Sequence, residues 1–234
     1  MQALILVGGL GTRLRSIVKD RPKPMALIED KPFLEYLIEN LKKNGIKDII
    51  LATGYMSEII EDYFKDGREF GVNIVYSKEN VQLGTAGAIK NAEKYIKDEV
   101  FVLNGDTYFD VDFKKLYEFH KNANSIFTMV LRKIADASRY GAVECDKENK
   151  ITSFVEKGDT SKSDYINGGI YIIKKKILNL IENEKKVSLE KEVIPKVLRE
   201  EKIYGYRCGN YFIDIGIPED YIKFCTKVKR GEKN

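Results

Sequence analysis

The chain has little of several residue types that common catalytic sites need. It carries one histidine, His120, among 234 residues, which excludes a histidine-based catalytic triad or zinc site. Its three cysteines, Cys145, Cys208 and Cys225, are odd in number, far apart and in no C-x-x-C pair, which favours free buried thiols over a metal or redox site. Any chemistry is therefore expected to run on carboxylates, lysines, arginines and the backbone.

Long apolar runs and an excess of one charge are also absent. The longest apolar runs, such as residues 3–7 and 49–52, fall far short of the roughly 20 residues of a membrane helix, so no membrane partner is expected. The N-terminus has no signal-peptide pattern, which makes the cytoplasm the expected location. Forty Lys and Arg against 36 Asp and Glu give a net charge of only +4. Because nucleic-acid binding needs clustered cations, no nucleic-acid partner is expected either.

The first half of the chain alternates β-branched runs with helical patterns. The patterns predict strands at residues 3–7, 48–52, 72–76 and 100–104, and helices at 33–44, 57–64 and 85–96. Such alternation predicts a largely parallel sheet with helices on both faces. Ligands of these sheets bind beyond the carboxyl ends of the strands.

The second half is richer in extended runs with hairpin-like spacing. The predicted elements are a helix at residues 112–121, extended runs at 125–131, 141–145, 151–155 and 168–173, helices at 177–182 and 189–200, a strand at 203–207 and a last helix from Pro218. Neither a linker nor an internal repeat interrupts them. We therefore predict one α/β domain, with later strands that extend the sheet and wall off a pocket.

A glycine-rich segment follows the first predicted strand and reads Gly8-Gly9-Leu10-Gly11-Thr12-Arg13. Glycines after a strand let the backbone turn and point N–H groups at an anion, and nearby cations such as Lys23 add charge-assisted hydrogen bonds. The segment matches neither a P-loop, which needs G-x-x-x-x-G-K-[ST], nor the G-x-G-x-x-G dinucleotide motif. A polyphosphate cradle is the favoured interpretation, and a turn with incidental glycines stays open.

With Pro22-Lys23-Pro24-Met25, this segment resembles the signature of the sugar-1-phosphate nucleotidylyltransferases. Further blocks resemble the family in the same order, and together they span residues 1 to about 221. They are Leu83-Gly84-Thr85-Ala86-Gly87-Ala88, Asn104-Gly105-Asp106, Tyr140-Gly141, Glu156-Lys157, Asn167-Gly168-Gly169-Ile170-Tyr171 and Phe212-Ile213-Asp214-Ile215-Gly216.

The resemblance implies an α/β, Rossmann-like nucleotidyltransferase (GT-A-like) fold, with a mainly parallel central sheet flanked by helices and extra strands that wall the sugar pocket. It also implies one domain over residues 1–234, with a nucleotide-binding half at 1–110, a sugar-binding half at 111–221 and a C-terminal tail at 222–234.

The resemblance further implies roles for individual residues. The implied catalytic residues are Arg13, Lys23, Asp106 and Asp214. The implied nucleotide-binding residues are Leu6, Gly8, Gly9, Gly11, Thr12, Arg13, Lys23, Gln82, Gly84, Thr85 and Asp106. The implied sugar-binding residues are Asn104, Gly141, Glu156, Lys157, Asn167 and Gly168.

Two of these residues, Asp106 and Asp214, are the implied ligands of Mg²⁺. Asp106 follows an apolar strand and Asp214 lies among apolar neighbours, where burying a charge is costly without a partner. Two carboxylates brought together repel each other unless a cation lies between them. Magnesium prefers oxygen ligands and leaves room for phosphate oxygens.

The implied partners are a nucleoside triphosphate and a sugar 1-phosphate. The Leu83–Gly87 block resembles the branch that uses GTP and mannose-type sugars, so GTP with a heptose or mannose 1-phosphate is expected. Thymidylyl or uridylyl transfer to glucose 1-phosphate stays an alternative, as does an inactive regulatory subunit, and a dinucleotide-dependent oxidoreductase is disfavoured by the glycine spacing. A homodimer remains an open expectation.

Overall fold

The computed structural model describes residues 1–9, 11, 14, 17–134, 140–155 and 163–231. The strands are β1 (Gln2–Leu6), β2 (Leu27–Ile28), β3 (Lys31–Pro32), β4 (Asp48–Thr53), β5 (Asn73–Lys78), β6 (Glu99–Asn104), β7 (Thr107–Phe109), β8 (Phe127–Lys133), β9 (Ala142–Cys145), β10 (Ile151–Val155), β11 (Tyr165–Lys174), β12 (Tyr204–Cys208) and β13 (Phe212–Asp214). The α-helices are α1 (Phe33–Lys43), α2 (Ser57–Phe64), α3 (Gly84–Asn91), α4 (Phe113–Asn122), α5 (Ile194–Glu200) and α6 (Pro218–Lys229).

A mixed sheet of nine strands forms the centre of the described chain. Its main path runs β10-β9-β11-β6-β1-β4-β5, while β8 pairs with β11 and β12. Strands β6, β1, β4 and β5 are parallel, and β11 is antiparallel to β6, β8 and β9. The predicted α/β class and the change of character between the two halves are confirmed.

The sheet separates two hydrophobic cores. In β1, Ala3 and Ile5 face one core and Leu4 faces the other, as the two-residue period of a strand requires. The first core contains Phe33 of α1, and the second contains Ile89 of α3. Helices therefore cover both faces, which explains why the parallel strands are almost continuously apolar.

The order of the strands fixes where a ligand can bind. The chain leaves β1 for β4 and β5 on one side and then returns to place β6 on the other side of β1. The crevice between neighbouring strands at such a reversal is the usual ligand site of an open α/β sheet. Here it lies beyond the paired ends Leu6 and Asn104.

Several boundaries differ from the sequence prediction. The helix expected at residues 85–96 ends at Asn91, and a 3-10 turn follows at Glu93–Tyr95. The helix expected at 177–182 is a 3-10 helix, Lys175–Leu180. The helix expected at 189–200 begins with a π turn, Leu189–Val193, before α5. Pro195 has no N–H to donate to the preceding turn, which fits the wider turn just before it.

The last helix, predicted from Pro218, is confirmed as α6, and it occupies most of the residues assigned to the C-terminal tail. Helix α6 continues to Lys229, and Phe224 is 1% exposed in the first core. The helix persists because its apolar side chains cover the α1 side of the sheet. In the described part of the chain, no helix is long and apolar enough to span a membrane.

Candidate active site

A cavity of about 480 Å³ opens beyond the carboxyl ends of β1 and β6. Of the residues predicted to bind nucleotide, those that line it are Leu6, Gly8, Gly9, Gly11, Lys23, Gln82, Gly84, Thr85 and Asp106. Asn104, predicted for the sugar, also lines it. These positions come from four separate segments of sequence, and the sheet reversal brings them to one place.

Glycine is required at specific points of this cavity wall. Gly11 has a φ of +60°, and a Cβ there would lie 2.9 Å from Cβ of Lys23. A Cβ on Gly8 would lie 2.8 Å from Oε1 of Glu79. Because side chains at these two positions would collide with Lys23 and Glu79, the glycines keep the backbone close to both residues.

Lys23 begins a short 3-10 helix, Lys23–Met25, and is flanked in sequence by Pro22 and Pro24. The Met25 N–H donates to the Pro22 carbonyl at 2.8 Å, and both Pro24 and Met25 are buried. The lysine is therefore held on a rigid turn whose apolar residues are anchored in the core. Its side chain is 12% exposed, and Nζ lies 2.6 Å from Oδ2 of Asp106.

Asp106 follows β6 and is held from two sides by the backbone. The N–H of Gly105 donates to the Leu6 carbonyl at 3.0 Å, and the N–H of Ile215 donates to the Asp106 carbonyl at 2.9 Å. Burial opposes ionisation of Asp106, but the Lys23 ammonium holds its pKa below the usual range. A charged carboxylate and a charged ammonium thus face one another at the cavity wall.

Asp214 ends β13, which pairs with β7 to form a two-stranded ribbon next to the main sheet. Its partner in the register is Thr107, the residue after Asp106. Its Oδ1 accepts a hydrogen bond from the N–H of Gly216 at 2.6 Å. Asp214 lines a second cavity of about 540 Å³ along α6, whereas Asp106 lines the first. The ribbon therefore brings the backbone at Asp106 close to the backbone at Asp214, between the two cavities.

The donor chemistry of these two residues fits Mg²⁺. The described residues contain no group of three or more His, Cys, Asp or Glu side chains that could hold a metal ion. Mg²⁺ does not need such a group, because proteins commonly hold it through one or two carboxylates, with substrate phosphates and waters completing the shell. Asp106 and Asp214 stay the predicted ligands of this cation.

Three predicted sugar residues lie just before β9 (Gly141) and on β11 (Asn167 and Gly168), the strand next to β6. The Asn167 N–H donates to the Gly141 carbonyl at 2.9 Å. The β11–β8 register shifts between Asn167 and Tyr171, and Gly169, at a φ of +71°, packs against the side chain of Asn104. A Cβ on Gly168 would lie 2.6 Å from the Phe109 ring. This bulge places Asn167 and Gly168 one strand away from the cavity that Asn104 lines.

Four of the predicted site residues, Thr12, Arg13, Glu156 and Lys157, lie outside the described residues. Their roles stay predictions.

Other cavity residues were not anticipated from the sequence, among them Glu79 and Lys186. Glu79 directly follows β5, so the rule that parallel strands end at the ligand site could have found it. Its Oε2 accepts a hydrogen bond from the Leu83 N–H at 3.1 Å, and burial raises its pKa. Lys186 lies in a loop that only the tertiary structure brings to the cavity.

The fold and the cavity define a class of protein. It is an α/β protein whose pocket lies where the strand order reverses, is lined by glycines and lysines, and suits a nucleoside triphosphate. Residues 2–231 match the nucleotidyl transferase family, and the chain belongs to that family.

The chain is similar to two D-glycero-α-D-manno-heptose 1-phosphate guanylyltransferases. It is 50% identical to the one from Campylobacter jejuni, over 96% of this chain and 98% of that protein. It is 46% identical to the one from Aneurinibacillus thermoaerophilus, over 95% and 96%. The crystal structure of HddC from Yersinia pseudotuberculosis complexed with GMP-PN superposes with a TM-score of 0.85 at 40% identity, covering 97% of this chain and 99% of that one.

Proposed function

We propose that this protein transfers a guanylyl group from GTP to the phosphate of D-glycero-α-D-manno-heptose 1-phosphate, giving GDP-heptose and pyrophosphate, with Mg²⁺ as the cation. The observation that carries the proposal is the Lys23–Asp106 pair, 2.6 Å apart at the wall of a cavity that the glycine-rich segment also lines. The choice of guanine as the base and of the heptose as the sugar is supported by the similar heptose 1-phosphate guanylyltransferases, which align over nearly the whole chain.

In this reaction the sugar phosphate oxygen attacks the α-phosphorus of GTP in line with departing pyrophosphate. The nucleophile is already an anion, so no general base is needed, which fits a site without histidine. Catalysis then consists of positioning and charge neutralisation. The backbone at Gly8, Gly9 and Gly11 would cradle the triphosphate, and the Lys23 ammonium would neutralise charge near the α-phosphate.

The remaining roles follow the predicted residues. Asp106 and Asp214 would hold Mg²⁺, which when bound neutralises phosphate charge and orients the phosphate oxygens. Arg13 and Thr12 would hold the triphosphate, and Gln82, Gly84 and Thr85 would contact the nucleoside. Lys157 would meet the sugar phosphate. The sugar hydroxyls would contact Asn104, Gly141, Glu156, Asn167 and Gly168.

The test is a substrate panel of GTP, ATP, CTP, UTP and dTTP against heptose, mannose and glucose 1-phosphates, read by pyrophosphate release and chromatography of the sugar nucleotide. We expect the highest kcat/KM for GTP with the manno-configured heptose 1-phosphate, and loss of turnover when EDTA removes the cation. If mannose 1-phosphate were preferred, the sugar assignment would be wrong. Preference for dTTP or UTP with glucose 1-phosphate would overturn the guanylyl assignment, and no turnover with any pair would favour a regulatory subunit.

Variants of the ion pair test its role. Asp106→Asn and Lys23→Met should each lower kcat by about 10²-fold or more, because each removes a charge that acts at the reacting phosphates. Lys31→Met is the matched control: Lys31 also pairs with carboxylates, Glu35 and Glu39, but it does not line the cavity. Full activity of Asp106→Asn would refute the metal assignment.

A further inference from the structure

A chain of hydrogen bonds crosses the structure from the nucleotide cavity to the predicted sugar residues. Its four members, in order, are Thr85, Glu190, Tyr171 and Asn167. The Thr85 hydroxyl donates to Oε2 of Glu190 at 2.8 Å, and the Tyr171 hydroxyl donates to Oε1 of Glu190 at 3.3 Å. The Asn167 amide Nδ2 donates to the Tyr171 hydroxyl at 2.6 Å. One carboxylate therefore joins a residue of the cavity wall to a residue predicted to bind the sugar.

Glu190 accepts these hydrogen bonds from its position in a helical turn of unusual shape. It lies in the π turn Leu189–Val193, and such turns recur at functional sites. The Ser188 hydroxyl also donates to its Oε2, at 3.2 Å. An ionised carboxylate only accepts hydrogen bonds, so all three hydroxyl protons are directed toward Glu190.

On the nucleotide side, this arrangement fixes the Thr85 hydroxyl. Its proton points to Glu190, and its oxygen accepts the Leu189 N–H at 2.7 Å. The segment that carries Glu190 is itself attached to α3, because the Val187 carbonyl accepts the Ala86 N–H at 3.0 Å. At Gly84, where φ is +71°, a Cβ would come within 2.6 Å of the Val187 carbonyl oxygen. The first turn of α3 and the π turn are thus tightly joined at the cavity wall.

On the sugar side, the arrangement fixes the Asn167 amide. The Tyr171 side chain is fully buried and directs its hydroxyl proton to Glu190, which leaves its oxygen facing Asn167. The other end of the amide, Oδ1, accepts the Gly169 N–H at 3.0 Å. An amide has two donor hydrogens and two acceptor lone pairs, so these bonds leave Asn167 the capacity to donate to and accept from a sugar hydroxyl.

We propose that Glu190 is a positioning residue for both substrates. It orients the Thr85 hydroxyl at the nucleotide cavity and, through Tyr171, the Asn167 amide at the sugar pocket. The identity of the substrates rests on the proposed function, whereas the hydrogen-bonded chain does not.

The test compares Glu190→Gln, Tyr171→Phe and the double variant with the wild type, using KM for GTP and for the sugar 1-phosphate. Loss of hydrogen bonds of ordinary strength changes an equilibrium by about tenfold. Glu190→Gln places an NH₂ group where a donor needs an acceptor, so it should raise both KM values by roughly this factor. Tyr171→Phe should raise the KM for the sugar 1-phosphate alone, and the double variant should be no worse for the sugar than Glu190→Gln.

Glu192→Gln is the matched control. Glu192 lies in the same π turn, is exposed, and accepts the Ser188 N–H at 2.8 Å. Glu192 takes no part in the chain of hydrogen bonds, so both KM values should stay within about twofold of the wild type. A Glu190→Gln variant with a lower Tm but unchanged KM values would overturn the proposal. If Glu190→Gln failed to fold, Tyr171→Phe alone would test the proposal. The proposal would then be contradicted if Tyr171→Phe changed both KM values equally, or changed neither.

Calorimetric titration of GTP without sugar separates this proposal from the proposed function. Weaker GTP binding to Glu190→Gln than to Glu192→Gln would support the nucleotide half without any turnover. If the substrate panel instead selected another triphosphate and sugar, the same comparison with that pair would still test Glu190. Equal GTP affinity in the two variants would overturn its nucleotide role.

Discussion

His120, the only histidine of the chain, is a packing residue in α4. Its side chain is fully buried, and Nδ1 lies 2.8 Å from the Thr128 hydroxyl oxygen. Nε2 lies 3.5 Å from the Glu99 carboxylate. Burial lowers the pKa of His120 to about 4. The Glu99 carboxylate acts to raise this pKa, whereas the charges of Lys174 and Lys121 lower it further. The imidazole is therefore neutral in the folded protein near pH 7, which fits the prediction that it takes no part in the chemistry.

This burial predicts an acid sensitivity of the fold. The folded pKa of His120, about 4, lies below its usual value of 6.5, so the unfolded state binds more protons between these pH values. The free energy of unfolding should consequently fall as pH drops from 6.5 toward 4, by up to about 1.4 kcal/mol per pH unit. Urea unfolding at a series of pH values, for the wild type and His120→Asn, measures this. The stability difference between the two should shrink as the pH falls; parallel curves would contradict the assignment.

At the scale of elements, α6 shows how one helix closes the first core. Phe224 has its ring centroid 5.3 Å from that of Phe33 and 5.6 Å from that of Tyr36. It also packs against Tyr108, on β7, and Tyr211, which precedes β13. The helix, which the sequence predicts from Pro218, thus supports the ribbon that carries Asp214.

A pair of truncations in α6 tests this packing. Phe224→Ala should lower the free energy of unfolding by about 3–5 kcal/mol, because it leaves a cavity among four rings. Ile222→Ala, two residues away on the same helix but 55% exposed, should change it by no more than about 0.5 kcal/mol. Chemical denaturation of both variants measures the difference, and equal small effects would mean that α6 is dispensable.

The elements that the sequence predicts well are those with strong local patterns. Helix α2 and strand β10 have the predicted ends, and the parallel half follows from β-branched runs that alternate with amphipathic ones. Ribbon β7–β13 and hairpin β2–β3 were missed, because strands of two or three residues carry no usable period. The site residues found from sequence lie in motifs, whereas Lys186 reaches the cavity only through tertiary contacts.

At the scale of the whole molecule, the two halves share one sheet. Strand β11 of the second half pairs with β6 of the first half and with β8 and β9 of the second. Both hydrophobic cores draw residues from both halves: Phe33 and Val130 lie in one, and Ile89 and Val197 lie in the other. One domain over both halves stays the prediction.

One cooperative unfolding transition is therefore expected. Far-UV circular dichroism, which follows the helices, and tyrosine fluorescence, available because the chain has 14 Tyr and no Trp, should give coincident curves in urea. The reason is that neither half can keep its core once β11 separates from β6. Two resolved transitions would instead show that residues 1–110 and 111–221 fold independently.

The β7–β13 ribbon also has a consequence for protein synthesis. Asp106 and Asp214 are nearly half the chain apart in sequence, and the hydrogen bond from Ile215 to Asp106 joins their segments directly. Chains grow from the N-terminus at about 5–20 residues per second, and early segments can fold while later ones are still being made. The glycine-rich segment, Lys23 and Asp106 thus leave the ribosome long before β13 exists. The nascent chain therefore holds these early residues without a complete cavity, because Lys186, β13 and α6 are made later.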